Sequence, residues 1–280
     1  MISHTSKRTA IQEAAKCDFL YLCAMQFIDT HTHFYLEEFD SDRDESIARA
    51  KSSGVEIFLL PNIDSLSVEP LLKLADAYPD SCLPMIGLHP TSVKENYLDE
   101  LKMVETHLIK RKFYAIGEIG IDLYWDKTFL EQQREVFRHQ LRMAKASNLP
   151  VAIHMRNSFE HVYSIVREEA GPDLRGVFHC FPGNVQQARQ VIDLGFYLGI
   201  GGVLTFKNSG LQQVVKEIPL EHILLETDAP FLAPDPYRGK RNESSYIPLI
   251  ADKIALLKEI PLAEVARVTT ANAKQLFNLS

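Results

Sequence analysis

Cysteine is scarce in this chain of 280 residues. The four present, Cys17, Cys23, Cys82 and Cys180, form no C-x-x-C pair and no dense pattern. That excludes a disulfide-stapled secreted scaffold and makes a reducing, cytoplasmic setting the expectation. Positive charge is also in short supply: 30 Lys and Arg stand against 37 Asp and Glu, a formal net charge of −7. A surface coated in basic residues for indiscriminate nucleic-acid binding is thereby excluded, although a local basic patch is not. Long apolar runs are missing. The stretch "FLYLCAM" (19–25) follows Glu13, Lys16 and Asp18 too closely and is too short for a secretory or membrane-spanning segment. No repeat of solenoid period and no low-complexity tract interrupts an ordinary globular composition, 46% hydrophobic and 24% charged.

What is present is a rhythm. Short apolar runs rich in Val, Ile and Phe predict strands at "FIDTHTH" (27–33), "EIFLLP" (56–61), "CLPMIGLHP" (82–90) and "YAIGEIGID" (114–122). Four more follow at "PVAIHMR" (150–156), "GVFHCF" (176–181), "FYLGIGG" (196–202) and "HILLETDAP" (222–230). Amphipathic stretches fill the gaps. In "TFLEQQREVFRHQLRMAKASN" (128–148), Phe129, Gln133, Phe137, Leu141 and Ala144 recur at helical spacing, and Asn148–Leu149–Pro150 stops the helix. Eight strands alternating with helices predict an α/β fold, a single (β/α)8 TIM barrel with its active site at the C-terminal rim of the strands. Such a barrel takes about 250 residues, which matches the chain counted from Met25. A doubly wound sheet would more often show a glycine fingerprint after its first strand, where this chain reads D-T-H-T-H. Residues 1–24 lack the strand–helix rhythm and are expected to be an extension, either a frayed arm or sequence upstream of a natural start at Met25; residues 25–280 form the barrel.

The first strand poses the functional question. Side-chain alternation places Asp29, His31 and His33 on one face and Thr30 and Thr32 on the other, and two imidazoles on one face suit a shared metal ion. With 10 His in the chain, one H-x-H by chance is roughly a one-in-three event, so context decides. That context exists: Glu118, His154, His179 and Asp228 also fall at or near the C-terminal ends of predicted strands, the rim where barrel enzymes build their sites. Each residue has a plain reading on its own: a hydrogen-bonded rim histidine, a helix-facing ion pair at Glu118, a turn or N-cap at Asp228 before Pro230. Together they place titratable groups where burial is costly unless they are paired or metal-bound. Four imidazoles and two carboxylates exceed the three protein ligands usual for one catalytic zinc, so two ions are expected. Two divalent cations against two carboxylates leave surplus positive charge, which favours an anionic substrate such as a phosphodiester.

In order and spacing, "FIDTHTH", "GEIGID", "IHMR", "HCF", "ETDAP" and "RGKRN" resemble the motifs of the TatD-related DNases, within the amidohydrolase-like metal-dependent barrels. The resemblance runs from about Met25 to the C-terminus. It implies two divalent ions (Mg, Mn or Zn), one held by His31, His33, Glu118 and Asp228, the other by Glu118, His154 and His179, with Glu118 bridging. Asp228 would take the proton of the attacking water, making Asp228 and Glu118 the catalytic pair. The implied activity is 3′-to-5′ exonuclease action on single-stranded DNA, with no membrane and no obligate protein partner. Less strongly, the resemblance extends to His89 facing substrate, Arg156 contacting a phosphate and Asp122 orienting a metal-bound group. Lys207, and Arg238, Lys240 and Arg241 in the one compact basic loop, would hold the nucleic-acid backbone. That loop departs from the family's N-x-P by reading Asn242–Glu243–Ser244, which puts its rigidity in question.

Other readings use the same core. One is a small-molecule amidohydrolase, lactonase or phosphotriesterase-like barrel; relatives of that kind often bridge their ions with a modified lysine, where this chain has Glu118. Another is an esterase acting on mischarged aminoacyl-tRNA. The last is a scaffold with a structural metal, although structural zinc sites are usually closed and cysteine-rich.

Overall fold

Strands that alternate with helices, and whose apolar runs have no polar face, need cover on both sides, and one solution is a ring of helices outside a sheet that closes on itself. The computed structural model, which describes residues 25–280, shows this arrangement. Among the described residues, eight strands occur in chain order: β1 (Phe27–Asp29), β2 (Val55–Leu60), β3 (Cys82–Pro84), β4 (Ile116–Asp122), β5 (Val151–Arg156), β6 (Gly176–Phe178), β7 (Tyr197–Ile200) and β8 (Ile223–Leu225). Helices α1 (Arg43–Ser52), α2 (Ser65–Ala77), α3 (Tyr97–Lys110), α4 (Leu130–Ser147), α5 (Phe159–Glu169), α6 (Val185–Asp193), α7 (Leu211–Glu217) and α8 (Ile247–Lys258) follow the strands in turn, and α9 (Leu262–Phe277) ends the chain. The expected extension at 1–24 lies outside the described residues.

All ladders are parallel, β1 to β3 in one run and β4 to β8 in another. Two seams join the runs into a barrel. At the first, Tyr114 N donates to Pro84 O (2.9 Å) and Gly117 N to Ile86 O (2.9 Å). At the second, Thr30 N donates to Leu225 O (3.0 Å), Asp228 N to His31 O (2.9 Å) and His33 N to Ala229 O (2.7 Å). Side-chain alternation divides the apolar residues. One large cluster, including Phe58, Leu60, Ile119 and Ile153, packs beneath the helices. A second fills the barrel interior with Ile28, Leu59, Leu83, Ala152, Val177 and Leu224, and there Leu276 and Phe277 of α9 close the N-terminal mouth. Phe277 shares that mouth with Phe113, Tyr114 and Pro150, the residues that lead into β4 and β5. Helix α4 ends as its sequence predicts, with Asn148 in the left-handed conformation (φ 52°).

The strands are shorter than the apolar runs that predict them. β1 stops at Asp29 rather than His33, β3 at Pro84, β6 at Phe178 and β8 at Leu225. Beyond these points pairing shrinks to single bridges, Thr32 with Ala229 and Ile86 with Ile116, and Cys180 (φ 43°) and Asp228 (φ 59°) enter the left-handed region. The expected sharing of a face by Asp29, His31 and His33 fails for the same reason. Asp29 instead accepts from Thr227 N (3.0 Å), Thr227 Oγ1 (2.5 Å) and Ser244 Oγ (2.6 Å), which locks β1 to the segment after β8. Burial raises the Asp29 carboxyl to about 7 despite these bonds.

Candidate metal centre

Glu118, buried in the middle of β4, is the hub of the rim. Its two carboxylate oxygens face different groups. Oε2 lies 3.0 Å from His31 Nε2 and 3.8 Å from His33 Nε2. Oε1 lies 2.8 Å from His154 Nδ1, 3.4 Å from His89 Nε2 and 3.9 Å from His179 Nε2. Asp228 closes the first group: its Oδ1 is 3.5 Å from His33 Nε2, 3.7 Å from His179 Nε2 and 3.8 Å from His31 Nε2. Burial alone would raise both carboxyls, but the surrounding imidazoles outweigh it: His31, His89 and His179 hold Glu118 well below the usual range, and His33, His179 and His31 lower Asp228. Both are therefore ionised at neutral pH.

The histidines are held from behind. Tyr35 donates its single hydroxyl proton to Pro61 O (2.7 Å), so its oxygen, 2.8 Å from His33 Nδ1, accepts from that nitrogen. His33 therefore presents the Nε2 lone pair to the centre. His154 Nε2 lies 2.9 Å from Asp122 Oδ2, which turns its Nδ1 toward Glu118. Burial disfavours charge on His154, yet Asp122 and Glu118 together lift it to about 9. His31 and His179 stack with centroids 3.4 Å apart. His179 rises to about 10 because Glu226, 3.0 Å from its Nδ1, and Glu118 outweigh burial. Among the described residues His31 has no such backing acid, and burial lowers it. Gly199 makes room for Glu226, since a Cβ there would sit 2.2 Å from Oε2.

His89 differs in its proton. Thr91 N donates to its Nδ1 (3.2 Å), so neutral His89 carries hydrogen on Nε2, toward Glu118 and His154. Burial lowers its pKa and keeps it neutral.

These donors fit a divalent cation. Imidazole nitrogens and carboxylate oxygens crowd within 4.8 Å of one another in the groups His31–His33–Glu118, His31–His179–Asp228 and His89–Glu118–His154. Ionised acids this deep are stable only with compensating positive charge, and mixed imidazole and carboxylate ligands suit zinc, manganese and related ions. His31, His33, Glu118, His154, His179 and Asp228, distant in sequence, thus converge. His179 groups with His31 and Asp228, and His89 lies beside Glu118 and His154, where its Nε2–H offers a proton rather than a lone pair.

The outer residues divide. Asp122 lies behind His154 and also caps the next loop, its Oδ1 accepting from Tyr124 N (2.8 Å) and Trp125 N (3.2 Å). Arg156 is exposed and stacks over Tyr124 at 3.7 Å; its expected alternative, an ion pair with a rim acid, is absent among the described residues. Lys207, Arg238 and Lys240 are exposed, Arg238 lying 4.3 Å over Phe206. Arg241 departs from its expected substrate role. Its guanidinium is committed to Asp42 (2.6 and 2.8 Å), Glu38 O (2.7 Å) and Glu243 (3.2 Å), so it fastens the loop to α1. Asn242 Nδ2 donates to Thr227 O (2.7 Å) and Phe231 O (2.6 Å), and Ser244 bonds Asp29, so the loop is anchored without the family's proline. Sequence reasoning missed Tyr35 and Glu226; the only signal for Glu226 is its place two residues before Asp228 in "ETDAP".

A parallel barrel whose rim gathers imidazoles and ionised acids defines the class of metal-dependent barrel hydrolases. The family described as TatD related DNase matches residues 28–278. The chain is 42% identical over 253 residues to YabD of Bacillus subtilis (strain 168), named an uncharacterized metal-dependent hydrolase, covering 90% of this chain and 99% of that one. The crystal structure of YjjV, a TatD homolog from Escherichia coli K12, superposes with TM-score 0.86 at 32% identity, covering 91% of this chain and 98% of that one. A TatD family hydrolase from Entamoeba histolytica gives TM-score 0.79 at 25% identity, with coverage of 92% and 99%. This chain belongs to the TatD family of metal-dependent hydrolases.

Proposed function

We propose that the protein is a two-ion phosphodiesterase that shortens single-stranded DNA from its 3′ end. The observation that carries this reading is the division of Glu118, one oxygen toward His31 and His33 and the other toward His154, His89 and His179. A carboxylate so placed can bridge two cations, with Asp228 completing the first site and His179, near both carboxylates, contributing to the second. Bound divalent cations would lower the pKa of coordinated water and neutralise charge on the phosphate oxygens.

The chain's own residues supply the rest. Asp228, ionised and partly open to solvent at the mouth, accepts the proton of a water that attacks phosphorus. The new P–O bond forms as the bond to the 3′ oxygen breaks, and that oxygen takes a proton from solvent, leaving a free 3′ hydroxyl on the shortened strand and a released 5′ nucleoside monophosphate. His89, neutral with hydrogen on Nε2, donates to a phosphate oxygen and leaves its charge undisturbed. Tyr35, Asp122 and Glu226 keep the imidazoles in their orientations. Arg238, Lys240 and Lys207, exposed around the mouth, hold the sugar–phosphate chain. No described helix is long and apolar enough to cross a membrane.

The test compares substrates. Purified protein with Mg2+, Mn2+ or Zn2+ is offered single-stranded DNA, mischarged aminoacyl-tRNA and p-nitrophenyl esters. Shortening of DNA from the 3′ end, abolished by chelator, is expected; turnover of an ester alone would remove the nuclease reading.

A further inference from the structure

The loop between β4 and α4 exposes the chain's one tryptophan, Trp125, to 69% beside Tyr124 at 52%. Two adjacent exposed aromatic rings at the edge of a site offer a surface that a ligand can cover. Three observations say what does. The loop is fixed to the centre, because Asp122 caps Tyr124 N and Trp125 N with one oxygen and meets His154 with the other. Arg156 lies in the angle between the rings, 3.7 Å over Tyr124 and 5.3 Å from the Trp125 centroid, while the rings stand edge to face at 4.9 Å. Its charge has no carboxylate partner among the described residues, so it is available to an anion.

We infer that Trp125 is a stacking platform for a nucleobase of the bound strand, with Arg156 beside it meeting the adjoining phosphate. The proposal rests on the nuclease reading and deepens it by naming where a base is held. A flat apolar face with a free guanidinium alongside matches a nucleotide: an aromatic ring joined to an anion. Tyr124, over which Arg156 stacks, orients the guanidinium. Because any base presents a π face, the platform holds the strand without selecting its sequence.

A single tryptophan makes the test direct. Metal-loaded protein is titrated with phosphorothioate oligothymidylate and with an abasic oligomer of equal length, binding being read by anisotropy of an end label and stacking by Trp125 emission. The expected result is saturable quenching by oligothymidylate alone and tighter binding of it than of the abasic strand. Trp125→Ala should weaken oligothymidylate binding by roughly ten-fold or more and erase the preference. Trp125→Phe should restore most of it. Binding of both oligomers with equal affinity and unchanged emission overturns the platform while leaving the nuclease reading intact. If neither oligomer binds, both fall. A change from dimer to monomer on sedimentation of Trp125→Ala would assign the ring to a contact between copies and also overturn the proposal.

Discussion

The two mouths of the barrel are built from the same eight strands, yet they are opposites. At the N-terminal mouth Leu276 and Phe277 close the interior with apolar packing. At the C-terminal mouth Glu118 and His154 project from β4 and β5, while His31, His33, His179 and Asp228 lie on backbone just past the ends of β1, β6 and β8. Burial at one end stabilises the fold directly. Burial at the other gathers like-charged acids whose compensation comes from protonated histidines or from cations. Stability and function are therefore separable, as barrels of this architecture permit.

The sharpest way to break that separation is to change one group at each mouth. Asp228→Asn should reduce DNA hydrolysis by roughly 10²–10⁴-fold with the melting temperature nearly unchanged; unaltered turnover would mean the base lies elsewhere. Phe277→Ala should do the reverse, losing about 3–5 kcal/mol of stability while kcat measured well below the melting point stays level. A smaller effect belongs to the histidine supports. Tyr35→Phe removes the acceptor of His33 Nδ1 and should weaken cation binding by roughly 10–100-fold, read by competition with a chromogenic chelator.

The charge difference between the mouths also predicts a pH dependence. In the cation-free protein His154 and His179 hold protons up to about 9 and about 10, so at pH 7 an arriving cation must displace them. Affinity should tighten as pH rises from 7 toward 9, and calorimetry in buffers of different ionisation enthalpy should show proton release. Heats independent of buffer would contradict it. The smallest effects separate two arginines of one loop. Arg238→Ala should raise KM for DNA and reduce its salt slope by about one. Arg241→Ala should instead cost about 1–3 kcal/mol of stability, since its partners are Asp42 and Glu243.

Much of this was visible in the amino-acid sequence, for identifiable reasons. A strand buried on both faces must be a continuous apolar run, so all eight could be located, and catalytic side chains at a barrel rim must follow those runs. Strand ends were less legible. His31 and His33 continue an alternating pattern that the backbone abandons after Asp29, because hydrogen bonds across the β8 seam, among them Asp228 N to His31 O, redirect the chain. Residues that act through another residue left little trace. Tyr35 works by giving its proton to Pro61, and Glu226 by standing behind His179, and neither relation has a spacing. Arg241 reads as free charge because Asp42, which claims it, lies 199 positions away.

The most direct measurement is an anomalous scattering map from crystals grown with Mn2+. Two peaks flanking Glu118 are expected, one against His31, His33 and Asp228, the other against His154 and His179. A map with no peak bonded to Glu118, or with the imidazoles ligating nothing in common, would contradict the proposed bridged pair and the phosphodiester chemistry built on it.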